Sequence, residues 1–158
     1  MNVPVGIPKI RGKKLSAGTI AEDLGTFMDQ NGTGYFCITI KGKYGLEEGL
    51  IVIENGQAIG SYYEYLNFGK SFHAKEGLVR TLNAFHAKHG VYDCFELSVQ
   101  QIELLKIFNE DMLFLEPMDY SALDGMIPVS FSTKFEEELV SKKEKLERRY
   151  SRKGDYQR

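Results

Sequence analysis

The tripeptide Gly69-Lys70-Ser71 has the residue types with which many proteins hold nucleotide phosphates. In a P-loop, the backbone N–H groups of a glycine-rich turn and a lysine surround the phosphates, and the pattern requires a glycine five residues before the second one. Glu64 stands at that position, and the preceding segment is aromatic rather than glycine-rich. We therefore interpret Lys70 as a loop lysine before a helix and predict no nucleotide site.

His86 and His89 could share a metal ion, because they lie three residues apart in a segment with helical periodicity. Such a site needs a third ligand, and neither His73 nor Asp93 follows at a spacing that supplies one. We favour solvent-exposed histidines near a helix C-terminus, where a positive charge also complements the helix dipole. No serine lies in a GxSxG elbow either. We expect a chain that is not an enzyme, with no catalytic residue, no cofactor and no metal.

An aromatic cluster is the first feature that points to interaction instead of catalysis. Its members are Tyr62, Tyr63, Tyr65 and Phe68. On a pleated strand Tyr62 faces away from Tyr63 and Tyr65, so these side chains do not all enter one core. We expect one face to expose aromatic surface for a partner or a second copy. Tyrosines lying flat over the rim of the sheet are the equally weighted alternative.

The C-terminal segment is the second such feature because it is strongly basic. Its candidate contact residues are Lys142, Lys143, Arg148, Arg149 and Arg152. Glu144 and Glu147 are interleaved with them, as on a solvated, salt-bridged helix. Three interpretations stay open, namely a solvated helix, contact with an acidic protein or a second copy, and contact with nucleic acid or an anionic membrane.

Hydrophobic periodicity predicts the elements that position these residues. A helix is expected over 19–30, begun by a capping box of Thr19 and Glu22. Alternating and then continuous apolar residues predict a three-stranded meander from 33 to 65, and Asn55-Gly56 is a strong hairpin signal within it.

The second half of the chain is predicted in the same way. A helix is expected over 74–88 and a short strand over 91–97. Ser98 and Gln101 form a second capping box that opens a helix through Phe108. Residues 111–130 should be irregular, and Thr133 with Glu136 should cap a last, charged helix.

Composition excludes several classes of protein. The 158 residues contain no apolar run of the length that a transmembrane helix requires, and the N-terminus lacks a signal-peptide pattern. Cys37 and Cys94 are too few for a disulfide framework. We therefore expect a soluble cytoplasmic protein. The net charge of −2 hides an asymmetry, because residues 1–14 carry +4, residues 15–140 carry −11, and residues 141–158 carry +5.

Several short motifs follow one another in a recognisable order. Gly18-Thr19-Ile20 and Thr33-Gly34-Tyr35-Phe36 resemble the opening of PATAN-type domains, in which a helix leads into a strand that begins with a Thr-Gly-like pair. The segment from Glu48 to Ile59 is similar to the central hairpin of that family, and Gly90-Val91-Tyr92 is similar to its glycine-led last strand. The extended lead-in also resembles related uncharacterised archaeal proteins. The resemblance covers about residues 15–97 and implies a small α+β domain for protein–protein contacts.

These observations lead to one expectation for the whole chain. We predict an α+β fold with a three- to four-stranded antiparallel sheet, a meander plus a short strand, and helices on one face. We expect it to act as a non-enzymatic interaction module or adaptor that can form a homodimer, with nucleic-acid binding through the basic helix as the alternative. The predicted parts are a basic lead-in (1–14), a PATAN-like domain (15–110), an irregular connection (111–131) and a basic C-terminal helix and tail (132–158).

Overall fold

A computed structural model describes the backbone of residues 1–154 and the side chains of residues 1–150. The strands are β1 (Ile7–Lys14), β2 (Gly34–Gly42), β3 (Gly45–Glu54), β4 (Gln57–Tyr65), β5 (Lys70–His73), β6 (Gly90–Glu96) and β7 (Leu113–Met118). The helices are α1 (Ala17–Asp29), α2 (Ala74–Ala84), α3 (Val99–Phe108), α4 (Tyr120–Asp124) and α5 (Lys134–Gly154).

The strands form one antiparallel sheet. Its order is β1-β6-β2-β3-β4-β5, and β7 also pairs with β4. Within residues 1–154 the sheet therefore has seven strands. The prediction of a three- to four-stranded sheet is wrong, although the α+β class is confirmed. The three additional strands β1, β5 and β7 are short or irregular in pattern, and they extend the sheet at its two edges.

The predicted meander forms the centre of this sheet as β2, β3 and β4. The turn between β3 and β4 falls at Asn55 and Gly56, whose φ angles of 48° and 78° both lie in the left-handed region. Asparagine and glycine tolerate that region best, and the twist of such a turn matches the twist of the strands it joins. The hairpin predicted at these two residues is confirmed.

The basic lead-in becomes the edge strand β1. It pairs with β6, with Ile10 opposite Cys94 and Lys13 opposite Tyr92. The register shifts between Ile10 and Lys13, and Gly12 in this bulge donates its N–H to the Asp93 carboxylate at 2.7 Å. A bulge and exposed lysines protect a sheet edge from pairing with other chains. Because residues 1–14 also contain two prolines and two glycines, the sequence indicates an extended lead-in and no strand.

Helices cover both faces of the sheet, and not one face as predicted. The helices α1, α2 and α4 pack on the face to which Ile51 and Ile53 point. The helix α3 packs on the opposite face, to which Leu50 and Val52 point. A central strand that is apolar on both faces requires a cover on each side, because either face would otherwise leave large side chains in water.

Two helix starts test the predicted capping boxes. The α3 box is confirmed, because Ser98 accepts from the Gln101 N–H and the Gln101 side chain accepts from the Ser98 N–H. The α1 box is wrong, because the helix begins earlier and Ser16 accepts the N–H of Thr19. The hydroxyl of Ser16, like that of Thr19, is suited to cap a helix, and the spacing of residues alone does not show which of the two does so.

The C-terminal third of the chain is more regular than predicted, because residues 111–131 include β7 and α4. The segment before α5 is fixed by two hydrogen bonds between the Asn83 side-chain amide and the backbone of Ser132, at 2.8 and 3.0 Å. Phe135 and Leu139 then pack against the core. Every residue from 141 to 150 is exposed, and we call this stretch the arm.

Candidate interaction surface

The three tyrosines predicted to form a contact surface are buried. Tyr62 is 8% exposed, Tyr63 is 2% exposed and Tyr65 is 3% exposed. Tyr63 and Tyr65 lie under α2, and Tyr62 lies on the opposite face with the α3 core. The predicted alternation of the strand is confirmed, but neither face of β4 exposes these tyrosines because both faces are covered.

Phe68 is the member of the aromatic cluster that stays half-exposed. It follows β4 in a 3-10 turn and packs edge-to-face on Tyr44, with 6.0 Å between the ring centroids. The Lys143 ammonium lies 5.7 Å from the centre of the Phe68 ring, within the range of a cation–π contact. The structure therefore brings together one aromatic and one basic residue of the predicted contact set.

Three of the other predicted basic residues also lie on the arm. Lys142, Arg148 and Arg149 are exposed there, together with Lys145 and Leu146. The side chain of Arg152 lies outside the described residues. The arm carries five basic and two acidic residues, a net charge of +3. Its exposed Leu146 adds an apolar element to this basic surface.

The largest departure from the sequence interpretation is an exposed apolar surface on α3. Its inner side is formed by Ile102 and Leu105, which are buried against the sheet. Its outer side presents Leu104, Ile107 and Phe108, which are 48%, 63% and 66% exposed. These three residues are spaced i, i+3 and i+4, so they form one stripe, which we call the α3 face.

Periodicity alone did not predict the α3 face, because it indicates that a helix has an apolar side and not how many apolar residues lie outside that side. Six of the ten residues of α3 are Val, Leu, Ile or Phe, more than one buried stripe requires. A helix that is apolar all round is normally buried on all sides. Counting apolar residues around the whole helix would have indicated the second surface.

Charged groups surround the α3 face. Lys106 binds Glu103 at 2.7 Å and Glu54 at 3.1 Å, and these hydrogen bonds raise the pKa of Lys106. Glu110 and Asp111 follow the helix and are exposed. We call these five residues the acidic rim, and their net charge is −3. An apolar centre with a charged border is the usual arrangement of a protein–protein interface.

The P-loop-like tripeptide is part of the sheet and does not form a phosphate-binding turn. Gly69 ends the 3-10 turn at a φ of 56°, and Lys70 and Ser71 begin β5. The Lys70 ammonium lies 5.7 Å from the centre of the Phe72 ring.

Ser71, His73 and Asp111 lie in the order of a catalytic triad. Ser71 Oγ is 3.2 Å from His73 Nε2, and His73 Nδ1 is 3.1 Å from Asp111 Oδ2. A working triad needs a buried carboxylate that is hydrogen-bonded to Nδ1 and so orients the ring. The Asp111 side chain is 68% exposed, and within the described residues Nδ1 has no aligned hydrogen-bond partner. This geometry does not support nucleophilic catalysis.

The prediction that His86 and His89 lie on the second helix is wrong, because α2 ends at Ala84 and not at residue 88. His86 lies within hydrogen-bonding distance of the Pro128 carbonyl through Nε2, and His89 is exposed. In the part of the chain that the structure describes, no three His, Cys, Asp or Glu side chains are grouped to hold a metal ion.

A buried pair of carboxyl groups was not predicted. Glu47 on β3 is 4% exposed and Glu136 on α5 is 2% exposed. Burial and a hydrogen bond with Glu136 raise the pKa of Glu47 to about 8, although the Tyr63 hydroxyl also donates to Glu47. Gly42 leaves room for the pair, since a Cβ there would overlap Glu47 Oε1 and lie 2.9 Å from Glu136 Oε1.

Both cysteines are free thiols. Burial raises the pKa of Cys94 to about 12. Burial and the neighbouring Glu48 carboxylate, which accepts a hydrogen bond from Cys37 Sγ at 3.2 Å, raise the pKa of Cys37 as well. Because the thiolate is the reactive form, neither thiol has the character of a nucleophile.

Fold and surface together define an α+β domain whose most prominent features are an exposed apolar helix face and a basic arm. Among the described residues, no helix is both long and apolar enough to cross a bilayer. Residues 1–109 match the family model described as "Uncharacterized protein conserved in archaea (DUF2226)", and the chain belongs to this family. The chain has no match among curated proteins or solved structures. The sequence resemblance to related archaeal proteins is confirmed at this level.

Proposed function

We propose that this protein is a non-enzymatic protein–protein interaction module that self-associates through the α3 face. The observation that carries the proposal is the exposure of Leu104, Ile107 and Phe108 on a helix that is already packed on its other side. Burial of apolar surface stabilises a complex by about 25 cal/mol per Å². A contiguous apolar stripe in water therefore favours a partner that covers it.

A second copy of the chain is the occupant that the charges favour. The acidic rim requires a basic partner, and the chain itself carries one in its arm. The resemblance to PATAN-type domains over residues 15–97, which we retain as part of the proposal, agrees with a domain for protein–protein contacts.

Size-exclusion chromatography with light scattering tests this proposal. We expect the full chain to form a dimer as its concentration rises and Ile107→Asp to remain a monomer, because a carboxylate at the centre of the α3 face must lose its water on association. Val129→Asp is the matched control, because Val129 is also apolar and exposed but lies outside the α3 face. Circular dichroism confirms that both variants fold.

Two outcomes would contradict self-association through α3. One is a wild-type chain that stays monomeric at every concentration. The other is a dimer that Ile107→Asp and Val129→Asp leave equally intact.

Nucleic-acid binding remains a second candidate because Lys142, Arg148 and Arg149 are exposed on one helix. It predicts an affinity for oligonucleotides that falls steeply as salt increases, since lysine and arginine side chains that neutralise phosphates release counterions. The net charge of −11 on residues 15–140 would repel a polyanion over most of the surface. A titration against duplex and single-stranded oligonucleotides at low salt that shows no binding would remove this candidate.

A further inference from the structure

We propose that the α3 face is occupied by the arm of a second copy, so that two chains exchange their arms. The assignment rests on the self-association proposed above and adds the identity of the contacting segment. It joins two surfaces of the described structure that both carry exposed apolar residues and have opposite net charges.

The apolar residues of the two surfaces are compatible. On the arm, Leu146 and Tyr150 are exposed and lie one helical turn apart, so they point to the same side. The α3 face presents a stripe of similar length. A helix-on-helix contact between two such stripes buries both, as in other complexes formed by amphipathic helices. Within a single chain both stripes remain exposed, and a contact between two copies buries them.

Charge decides which surfaces meet. The arm has a net charge of +3 and the acidic rim has a net charge of −3. A contact between two α3 faces would place two acidic rims together, and a contact between two arms would place two basic helices together. Like charges held close together cost several kcal/mol at interfaces. Of these three pairings, only the contact between an arm and an α3 face joins opposite charges.

The first residues of α5 and the segment just before them are held in place, which favours an exchange between two copies. The Asn83–Ser132 hydrogen bonds and the packing of Phe135 set the direction in which α5 leaves the body. In a two-fold dimer each chain gives one arm and receives one, and such a closed arrangement contains two equal contacts. The second contact forms within the complex, so the pair binds more tightly than a single contact does.

A charge-swap experiment on the full chain tests the exchange. Arg148→Glu/Arg149→Glu reverses charge on the arm, and Glu103→Lys/Glu110→Lys reverses charge on the acidic rim. Each variant alone should dissociate at least tenfold more readily than the wild type, because both of its contacts join like charges. A mixture of the two should form a heterodimer, because both of its contacts again join opposite charges.

The matched control reverses acidic residues outside the rim. Glu22→Lys/Glu76→Lys changes the net charge by the same amount as the rim variant, and both of its residues are exposed on other helices. Mixing this control with the arm variant should form less heterodimer than mixing the two charge variants, because only one of its two contacts joins opposite charges. Circular dichroism and light scattering of each separate variant establish that it is folded and report its mass.

The outcomes separate this inference from the proposed function. A dimer that Ile107→Asp disrupts but Arg148→Glu/Arg149→Glu does not would keep self-association through α3 and overturn the arm as its occupant. A mixture of the two charge variants that stays monomeric would also overturn the exchange. A dimer that resists Ile107→Asp would overturn the proposed function itself.

Discussion

The carboxyl groups of Glu47 and Glu136 lie against each other where the first turn of α5 meets the sheet. In the described structure neither oxygen of Glu136 accepts a hydrogen bond from an N–H or hydroxyl group. Two adjacent buried carboxylates repel each other, so a proton held on one of them is the donor that joins the pair. The contact between α5 and β3 therefore depends on keeping this proton.

Stability should consequently fall as the pH rises. The folded chain holds a proton to a pKa of about 8, whereas the unfolded chain releases it near the ordinary value of 4.5. The stabilisation is complete at low pH and is lost between these two values, by up to about 1.4 kcal/mol per pH unit. Burial and the charge of Glu47 raise the pKa of Tyr63 and Tyr65, so neither hydroxyl titrates in this interval.

Glu47→Gln should remove this dependence, because an amide stays neutral and its N–H can donate to Glu136. Urea unfolding from about pH 5 to about pH 9 measures the effect, and the variant should be more stable than the wild type at the upper end. The exposed Glu138→Gln is the control and should retain the wild-type slope. Equal slopes for the wild type and Glu47→Gln would mean that no proton is shared.

At the scale of elements, the sequence predicted what short-range spacing determines. The spacing of apolar residues predicts α1, α2 and α3. Two local motifs were predicted as well, namely the α3 cap of Ser98 and Gln101 and the hairpin turn at Asn55 and Gly56. The sequence did not predict β5, which pairs with the preceding strand β4, because four residues are too few to show an alternating pattern. It did not predict β1 or β7, because their pairing depends on residues far away in the chain. Glu136 shows the same limit, since its spacing from Thr133 indicated a surface cap and tertiary packing buries it instead.

The contact between α2 and the sheet depends on Gly77. A Cβ at this position would lie 2.8 Å from the Phe72 carbonyl oxygen and 3.1 Å from the Ser61 carbonyl oxygen, so the helix would have to move away from β4 and β5. Gly77→Ala should destabilise the fold by about 1–3 kcal/mol, as overpacking of a close contact does.

Gly18 in α1 provides the matched helical control. No atom outside its immediate surroundings lies within 4 Å of a Cβ placed there, so Gly18→Ala should stabilise by about 0.5–1 kcal/mol through helix propensity. Urea unfolding of both variants compares them directly. Equal and small effects at the two positions would contradict the close approach of α2.

At the scale of the whole molecule, the net charge of −2 is the sum of the opposite charges of separate regions. Residues 15–140 carry −11, and the strand β1 and the arm carry the basic residues at the two ends. The basic residues of β1 protect a sheet edge, whereas those of the arm lie on an exposed helix. The family match over residues 1–109 includes the α3 face, and the arm follows that match in the chain.

Self-association should weaken as salt increases if opposite charges join the arm to the acidic rim. The Debye length shortens from about 10 Å at 0.1 M to about 3 Å at 1 M, so the attraction between +3 and −3 surfaces is screened. Sedimentation velocity should give a dissociation constant that rises several-fold over this range without complete loss of the dimer, since the apolar contact persists.

Lys142→Gln/Lys145→Gln should make the dissociation constant less dependent on salt, because the double variant removes two positive charges from the arm. Lys75→Gln/Lys88→Gln, on and just after α2, is the control and should keep the salt dependence of the wild type. Apolar burial alone is not weakened by salt. An affinity that increased with salt would therefore contradict the charge pairing of the two surfaces.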